Sequence, residues 1–161
     1  MATEIERKFL LVSDEWRALV RHSESFRQGY LNNSKRASVR VRIADGQATL
    51  NIKGMTIGVQ RPEYEYDLPL QDASELLEQL CERPLIEKTR HFVEFGGKTW
   101  EIDEFHGDNQ GLIVAEVELD AADETITLPT WAGKDVSHLP RYYNVSLTQH
   151  PFSQWSAEER D

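Results

Sequence analysis

Apolar and polar residues alternate with a period of two along much of this chain. Ile5-Glu6, Val39-Arg40-Val41-Arg42-Ile43 and Tyr64-Glu65-Tyr66-Asp67 show it most plainly, and that period marks a strand with one face buried. Ser25–Leu31, Gln47–Lys53, Ile86–Phe95, Lys98–Phe105 and Leu112–Leu119 are rich in β-branched or aromatic residues and predict further strands. Eight strands are therefore expected. Asp45-Gly46 after the third and Gly96-Gly97 after the sixth suit hairpin turns, because glycine tolerates positive φ, so neighbouring strands should run antiparallel. Two helices are predicted to interrupt the series. Ser13 is placed to cap Asp14–Arg21, and Asp72 with Glu75 forms a capping-box pattern ahead of Leu76, Leu77 and Leu80, with Pro84 as the stop. Arg141 to Leu147 is read as a short helix closing one end.

Composition narrows the picture. A chain of 161 residues, 39% hydrophobic, has material for one ordinary core. Without an internal repeat or linker, a single domain over 1–161 is expected, ordered to about residue 150, with 151–161 as a polar tail. The formal net charge of −10 argues against a protein that coats nucleic acid, which needs a basic surface to displace counterions. It does not preclude a local cationic pocket. The single cysteine, Cys81, makes an intramolecular disulfide impossible and suits a small buried residue near a helix end. No apolar run has the length of a membrane span, and charges at Glu4, Glu6, Arg7 and Lys8 stand where a signal peptide would be apolar, so a cytoplasmic setting is expected.

The charges on these strands are unusual in arrangement. Glu4/Glu6, Arg40/Arg42, Glu63/Glu65, Lys88/Arg90, Glu101/Asp103 and Glu116/Glu118 are like-charge pairs two residues apart, extended by Lys8 and Lys53. Positions i and i+2 of a strand share a face. The other face carries Ile5, Val39, Val41, Ile43, Tyr64, Tyr66, Ile102, Ala115, Val117 and Leu119 and is expected to meet an apolar core. The charges then face either solvent or a wet interior. Salt-bridged solvent faces intersperse signs, whereas a same-sign pair repels itself unless an opposite charge sits between. Paired carboxylates suit hard divalent cations, and arginine forks match phosphate oxygens. His22, His91, His106, His138 and His150 lack zinc spacing, and no Walker-type glycine loop is present. Trp16, Trp100, Trp131 and Trp155 are expected to pack, with Trp100 facing away from the charges.

In series these segments resemble a known family. EIERKF with Glu4, Glu6 and Lys8 as ExExK, then RQGYL (27–31), VRVR (39–42), LNIK (50–53), EYEY (63–66), EKTR (87–90), WEIDEF (100–105) and AEVEL (115–119) are similar in kind and order to the CYTH superfamily, or triphosphate tunnel metalloenzymes. The nearest likeness is to its short bacterial branch of inorganic triphosphatases. The resemblance implies a mainly β (α+β) fold, an eight-stranded antiparallel closed barrel forming a tunnel, with a few peripheral helices. It implies that Lys8, Arg40, Arg42, Lys53, Lys88, Arg90 and Arg27 contact the substrate, and that Glu4, Glu6, Glu63, Glu65, Glu116, Glu118 and Asp103 serve metal ions. Glu4, Glu6, Lys8 and Lys53 would carry catalysis. The implied cofactor is Mg2+ or Mn2+, two ions with substrate bound. The implied reaction is hydrolysis of inorganic triphosphate to pyrophosphate and phosphate. Alternatives are an adenylate cyclase of the CYTH type (class IV), a thiamine triphosphatase, or a module that binds organic phosphates or polyphosphate without turnover. The partner in each case is a small molecule, with no nucleic acid or membrane, and the oligomeric state is left open.

Overall fold

A computed structural model describes residues 2–34, 36–57 and 59–160. Its strands are β1 (Ala2–Leu11), β2 (His22–Asn33), β3 (Ala37–Ala44), β4 (Gln47–Gly54), β5 (Gln60–Leu68), β6 (Ile86–Phe95), β7 (Lys98–Phe105), β8 (Ile113–Glu118) and β9 (Ala132–Asp135). The helices are α1 (Leu70–Gln79) and α2 (Asn144–Gln149), with short 3-10 turns elsewhere. Every strand pairing is antiparallel. The first eight strands follow one another in the order β5-β4-β3-β2-β6-β7-β8-β1, and β1 pairs back onto β5, so the sheet closes into a barrel. Closure removes the open edges that eight strands would otherwise present.

β1 is the closing strand. Residues 6–10 pair with β8, residues 2–5 with β5, and Phe9 and Leu11 with β9, across a register shift. A strand has two edges and β8 occupies one, so β5 and β9 share the other end to end. β9 was not among the expected strands. Both hairpin turns are as expected: Asp45 and Gly46 have φ of 51° and 73°, and Gly96 and Gly97 have 61° and 76°, the doubly left-handed turn that matches strand twist.

Two helix expectations are corrected. The segment read as a helix over Asp14–Arg21 is only a 3-10 turn, Glu15–Leu19, because Val20 is already extended and Arg21 bonds to Phe92 as the chain enters β2. The capping box at Asp72 and Glu75 does not form. α1 starts earlier, straight after Pro69, which leaves both residues inside the helix without a side-chain cap.

The barrel inverts the usual arrangement, with its apolar face outward. Phe9, Trp16, Val93, Trp100, Ile102, Ala115, Val117 and Trp131 form one cluster over β1, β7 and β8. α1, with Cys81 just beyond its end, covers β2, β3 and β4 through Ala73 and Leu77 against Val41 and Ala48. At one end of the barrel the inward face is apolar as well: the C-terminal segment packs Tyr142, Leu147 and Trp155 on Tyr30, Ile86, Phe105 and Val114, which share the parity of the inward positions. Trp155 is thus core, and Arg160 donates to the Phe152 carbonyl, so residues 151–160 belong to the packed structure instead of a tail. Among the described residues, the outer face of β5 is left open along most of its length. Tyr64 and Tyr66, expected against a core, are exposed there. Among the described residues, no helix is long and apolar enough to cross a membrane.

Candidate active site

The inward face of the barrel is a cavity of about 200 Å³. Seven cationic and seven anionic side chains line it, so its selectivity rests on how the signs are separated, not on their sum. Following the strands around the barrel separates them. β7, β8, β1 and β5 contribute Glu101 and Asp103, Glu116 and Glu118, Glu4 and Glu6, and Glu63 and Glu65, broken only by Lys8 and Arg61. β4, β3 and β6 contribute Lys53, Arg40 and Arg42, and Lys88 and Arg90. The interior therefore has an acidic arc facing a basic arc, which follows from two-residue alternation plus closure.

Ion pairs form where the arcs meet. At one seam Lys53 Nζ lies 2.6 Å from Glu4 and 3.5 Å from Glu63. At the other, Asp103 accepts from Lys88 Nζ at 2.7 Å and from Arg90 Nε and Nη2 at 2.7 and 3.0 Å, while Arg90 Nη1 reaches Glu101 at 3.1 Å. Asp103 is wholly buried beneath these two cations. Burial opposes its charge, but the guanidinium of Arg90 and the ammonium of Lys88 hold it below the ordinary aspartate value.

Away from the seams, the basic arc is uncompensated at Arg40 and Arg42, and the acidic arc is only partly neutralised, by Lys8 and by Arg61, whose Nη2 lies 3.5 Å from Glu4 Oε1. Arg40 and Arg42 form no ion pair among the described residues; Arg42 Nε donates only to Gln28 Oε1, at 2.8 Å, and Arg40 Nε is buried without an acceptor. Burial, with Arg40 and Arg90 nearby, pushes Arg42 down to about 9, which leaves it charged at neutral pH. Burial, opposed by Asp103 but reinforced by Arg90 and Arg42, pushes Lys88 down to about 7. In the acidic arc Glu6 opposes Glu118 across the ladder and Lys8 opposes Glu116. Lys8 Nζ sits 2.6 Å from Glu116 and 3.2 Å from Glu6. Burial would lower Lys8, but the Glu116 and Glu6 carboxylates outweigh it and keep the ammonium charged. Lys8 and Arg61 do not neutralise the arc: burial first, then Glu116, raises Glu6, and burial with Glu4 and Glu6 raises Glu118.

These features fit a divalent cation. The donors are carboxylate oxygens, as a hard ion prefers. Glu4 Oε1 is buried with no hydrogen-bond donor, and the raised Glu6 and Glu118 are carboxylates that a cation would relieve. Among the described residues, no three acids are yet drawn into ligand geometry, since Lys8 and Lys53 stand between them.

All the predicted site residues but one meet in or directly beneath this lining. Arg27 does not. Even-numbered positions of β2 face inward, so Arg27 points outside and pairs with Glu78 of α1 at 3.2 Å, while Gln28 takes the inward place. Glu65 lies at the exposed end of the lining, held by Asn51 Nδ2 at 3.2 Å. Sequence reasoning missed Arg61, Asn51, Gln28 and Asn144. Arg61 extends the Glu63/Glu65 alternation backwards, but Pro62 reads as a strand breaker. The other three are uncharged, and only their parity on β4 and β2 marks Asn51 and Gln28. Asn144, from α2, reaches the cavity through tertiary packing alone.

A CYTH domain model matches residues 2–149. The chain is 43% identical over 155 residues to the inorganic triphosphatase of Acetivibrio thermocellus, covering 96% of this chain and 99% of that one. The crystal structure of the inorganic triphosphatase NE1496 superposes with a TM-score of 0.64 at 30% identity, covering 92% of this chain and 95% of that one. A structure of HpAC1 from Hippeastrum, at 15% identity and a TM-score of 0.58, covers 73% and 80% of the two chains and shares the fold.

Proposed function

The chain belongs to the CYTH family, and on that footing we propose that it is an enzyme hydrolysing inorganic triphosphate to pyrophosphate and phosphate inside the barrel, with metal dependence. The observation that carries this reading is the pair of facing arcs, the basic one without ion pairs at Arg40 and Arg42 among the described residues and the acidic one only partly neutralised by Lys8 and Arg61. A polyanion would satisfy the free guanidinium groups of Arg40 and Arg42, and a cation the crowded carboxylates around Glu6. A metal-chelated triphosphate supplies both at once.

In this reading, Arg40 and Arg42 bind phosphate oxygens through their terminal nitrogens, and Lys88 and Arg90 continue the anion path along β6. Glu4, Glu6, Glu63, Glu65, Glu116 and Glu118 are the residues that would hold the metal, Mg2+ or Mn2+, with Asp103 supporting the cations instead. When bound, such an ion polarises phosphoryl oxygens as a Lewis acid. Lys8 stays protonated between Glu116 and Glu6, so its part is charge neutralisation and not proton abstraction. Lys53 sits at the seam between Glu4 and Glu63, where burial and Arg40 push it down against the pull of Glu4. Water attacks a terminal phosphorus in line, one P–O bond forms and the bridging P–O bond breaks; the hydroxyl stays on the phosphate, the second water proton passes to a phosphate oxygen or to solvent, and the negative charge gained by the departing pyrophosphate falls among the basic-arc cations. Positioning and fixed charges supply the acceleration. A cytoplasmic setting suits the free, buried Cys81.

The test is phosphate release from inorganic triphosphate, ATP and thiamine triphosphate with Mg2+ or Mn2+, with cyclic AMP assayed in parallel. Inorganic triphosphate should turn over fastest and only with metal. Faster ATP hydrolysis, or cyclic AMP as the main product, would refute the assignment.

A further inference from the structure

Between the cationic pairs of β3 and β6, β2 inserts an uncharged residue. Gln28 is fully buried, and its ladder partners are Arg42 and Ile86. Its Oε1 accepts from Arg42 Nε at 2.8 Å, and its Nε2 donates to Asn144 Oδ1 at 3.1 Å. The same Asn144 oxygen accepts from Lys88 Nζ at 2.9 Å. The orientation of both amides is determined from the Arg42 end. Arginine only donates, so the oxygen of Gln28 must face Arg42. The Gln28 amide nitrogen then meets Asn144 Oδ1, and flipping either amide would set donor against donor.

Arg90 makes the contrast. Its Nε and Nη2 are both taken by Asp103, a carboxylate that fixes the guanidinium and also cancels charge. Arg42 is fixed through Nε by a neutral amide, and its Cζ lies 4.4 Å over the Phe26 ring. That tether orients the guanidinium and leaves Nη1, Nη2 and the full positive charge for a ligand.

We propose that Gln28 is a positioning residue for the polyanionic substrate. It aims Arg42 into the cavity without neutralising it, and through Asn144 it sets the spacing between Arg42 and Lys88. This rests on the triphosphate reading above. Glutamate at this position would hold Arg42 equally well but cancel its charge; methionine would fill the same volume without accepting the Nε–H.

The test uses full-length Gln28→Glu and Gln28→Met, each also combined with Arg42→Ala, in steady-state kinetics with inorganic triphosphate and a divalent metal. Gln28→Glu should raise KM about tenfold or more with a smaller change in kcat, the pattern of lost ground-state binding. Gln28→Met should raise KM several-fold and also lower kcat. Neither should raise KM further in the Arg42→Ala background, where there is no guanidinium left to aim. If either variant raises KM equally with and without Arg42, or if both match the wild type, the assignment is overturned. Should Gln28→Glu fail to fold, the Gln28→Met cycle decides alone. A wild type that does not bind inorganic triphosphate in calorimetry overturns the functional reading and this inference with it, whereas normal wild-type turnover with indifferent Gln28 variants removes this inference only.

Discussion

Asp103→Asn is expected to make the stability of this barrel depend on pH in one specific way. In the native protein the Asp103 carboxylate lies 2.7 Å from Lys88 Nζ and makes two further bonds to Arg90, with all three side chains buried. Asparagine keeps the shape and removes the charge, leaving two buried cations short of their counter-ion. Removing one partner of a buried pair costs about 3–5 kcal/mol. Lys88 can escape part of that cost by releasing its proton. Its ammonium already sits at about 7, lowered by burial and by Arg90 and Arg42 against the pull of Asp103. Without Asp103 it falls further. The unfolded chain keeps Lys88 protonated up to its ordinary value of about 10.4. In the wild type the penalty for charging Lys88 is full below about 7 and fades as pH rises from there towards 10.4. In the variant the penalty goes on growing as pH drops below 7, until the lower folded value is reached. The deficit of the variant should therefore narrow by about 1.4 kcal/mol per pH unit as pH rises to 7, then level off. Urea unfolding of both proteins at pH 5.5, 6, 7 and 8 measures it. A deficit under about 1 kcal/mol at pH 6, or one that stays constant or widens as pH rises to 7, would refute the account of Lys88 and Asp103 as a buried, under-compensated group.

Other expectations are simpler. Arg40→Ala should weaken inorganic triphosphate binding by roughly 10- to 100-fold, the worth of a charge-assisted hydrogen bond, with thermal stability little changed; calorimetry with the phosphate alone reads it. Glu6→Gln should lower Mn2+ affinity by about tenfold or more in calorimetry, because a charged oxygen ligand is lost, and a variant that binds Mn2+ normally would place Glu6 outside the metal set. Chelation by EDTA should stop phosphate release while the far-ultraviolet circular dichroism stays that of the folded barrel. Trp100→Ala should cost about 3–5 kcal/mol and lower Tm by roughly 10 °C, since the ring is fully buried 5.6 Å from Phe9 and 5.4 Å from Trp131 on the outer face. The folded fraction of that variant should retain the wild-type KM.

Alternation was a strong guide to this molecule because closure assigns the two faces of each strand to two different environments. Ile86–Phe95 and Lys98–Phe105 were legible to the residue, and the like-charge pairs on them mark the cavity wall. The same reasoning failed where parity gave way to residue type. Arg27 attracted attention as a cation, although its neighbours Phe26 and Gln28 occupy the inward phase. Tyr64 and Tyr66 are apolar by composition yet exposed, because what covers a strand's outer face depends on where α1 and the segments carrying Trp16 and Trp131 pack. β9, four residues long with Gly133 and Lys134 at its centre, carries no periodic signal. The neutral amides Gln28 and Asn144 were invisible to a search for charge, although they decide which arginine is left for a ligand.

The closing strand also bears on how the chain reaches this state. β1 finds its partners in residues 60–63, 114–118 and 132–135, all far downstream. β1 leaves a ribosome before all of these partners and cannot be fully paired until they have followed. Non-local pairings of this kind slow folding, because the chain loses loop entropy before the contacts reward it. At a synthesis rate of about 5–20 residues per second, Ala2–Leu11 waits several seconds as an unpaired edge before β8 exists. During that interval its alternation of Ile5, Arg7 and Phe9 with Glu4, Glu6 and Lys8 matters for a reason unrelated to phosphate: charges at every second position discourage the strand from pairing with another nascent copy. The residues of the acidic arc would then protect the chain during its birth before they serve the finished tunnel.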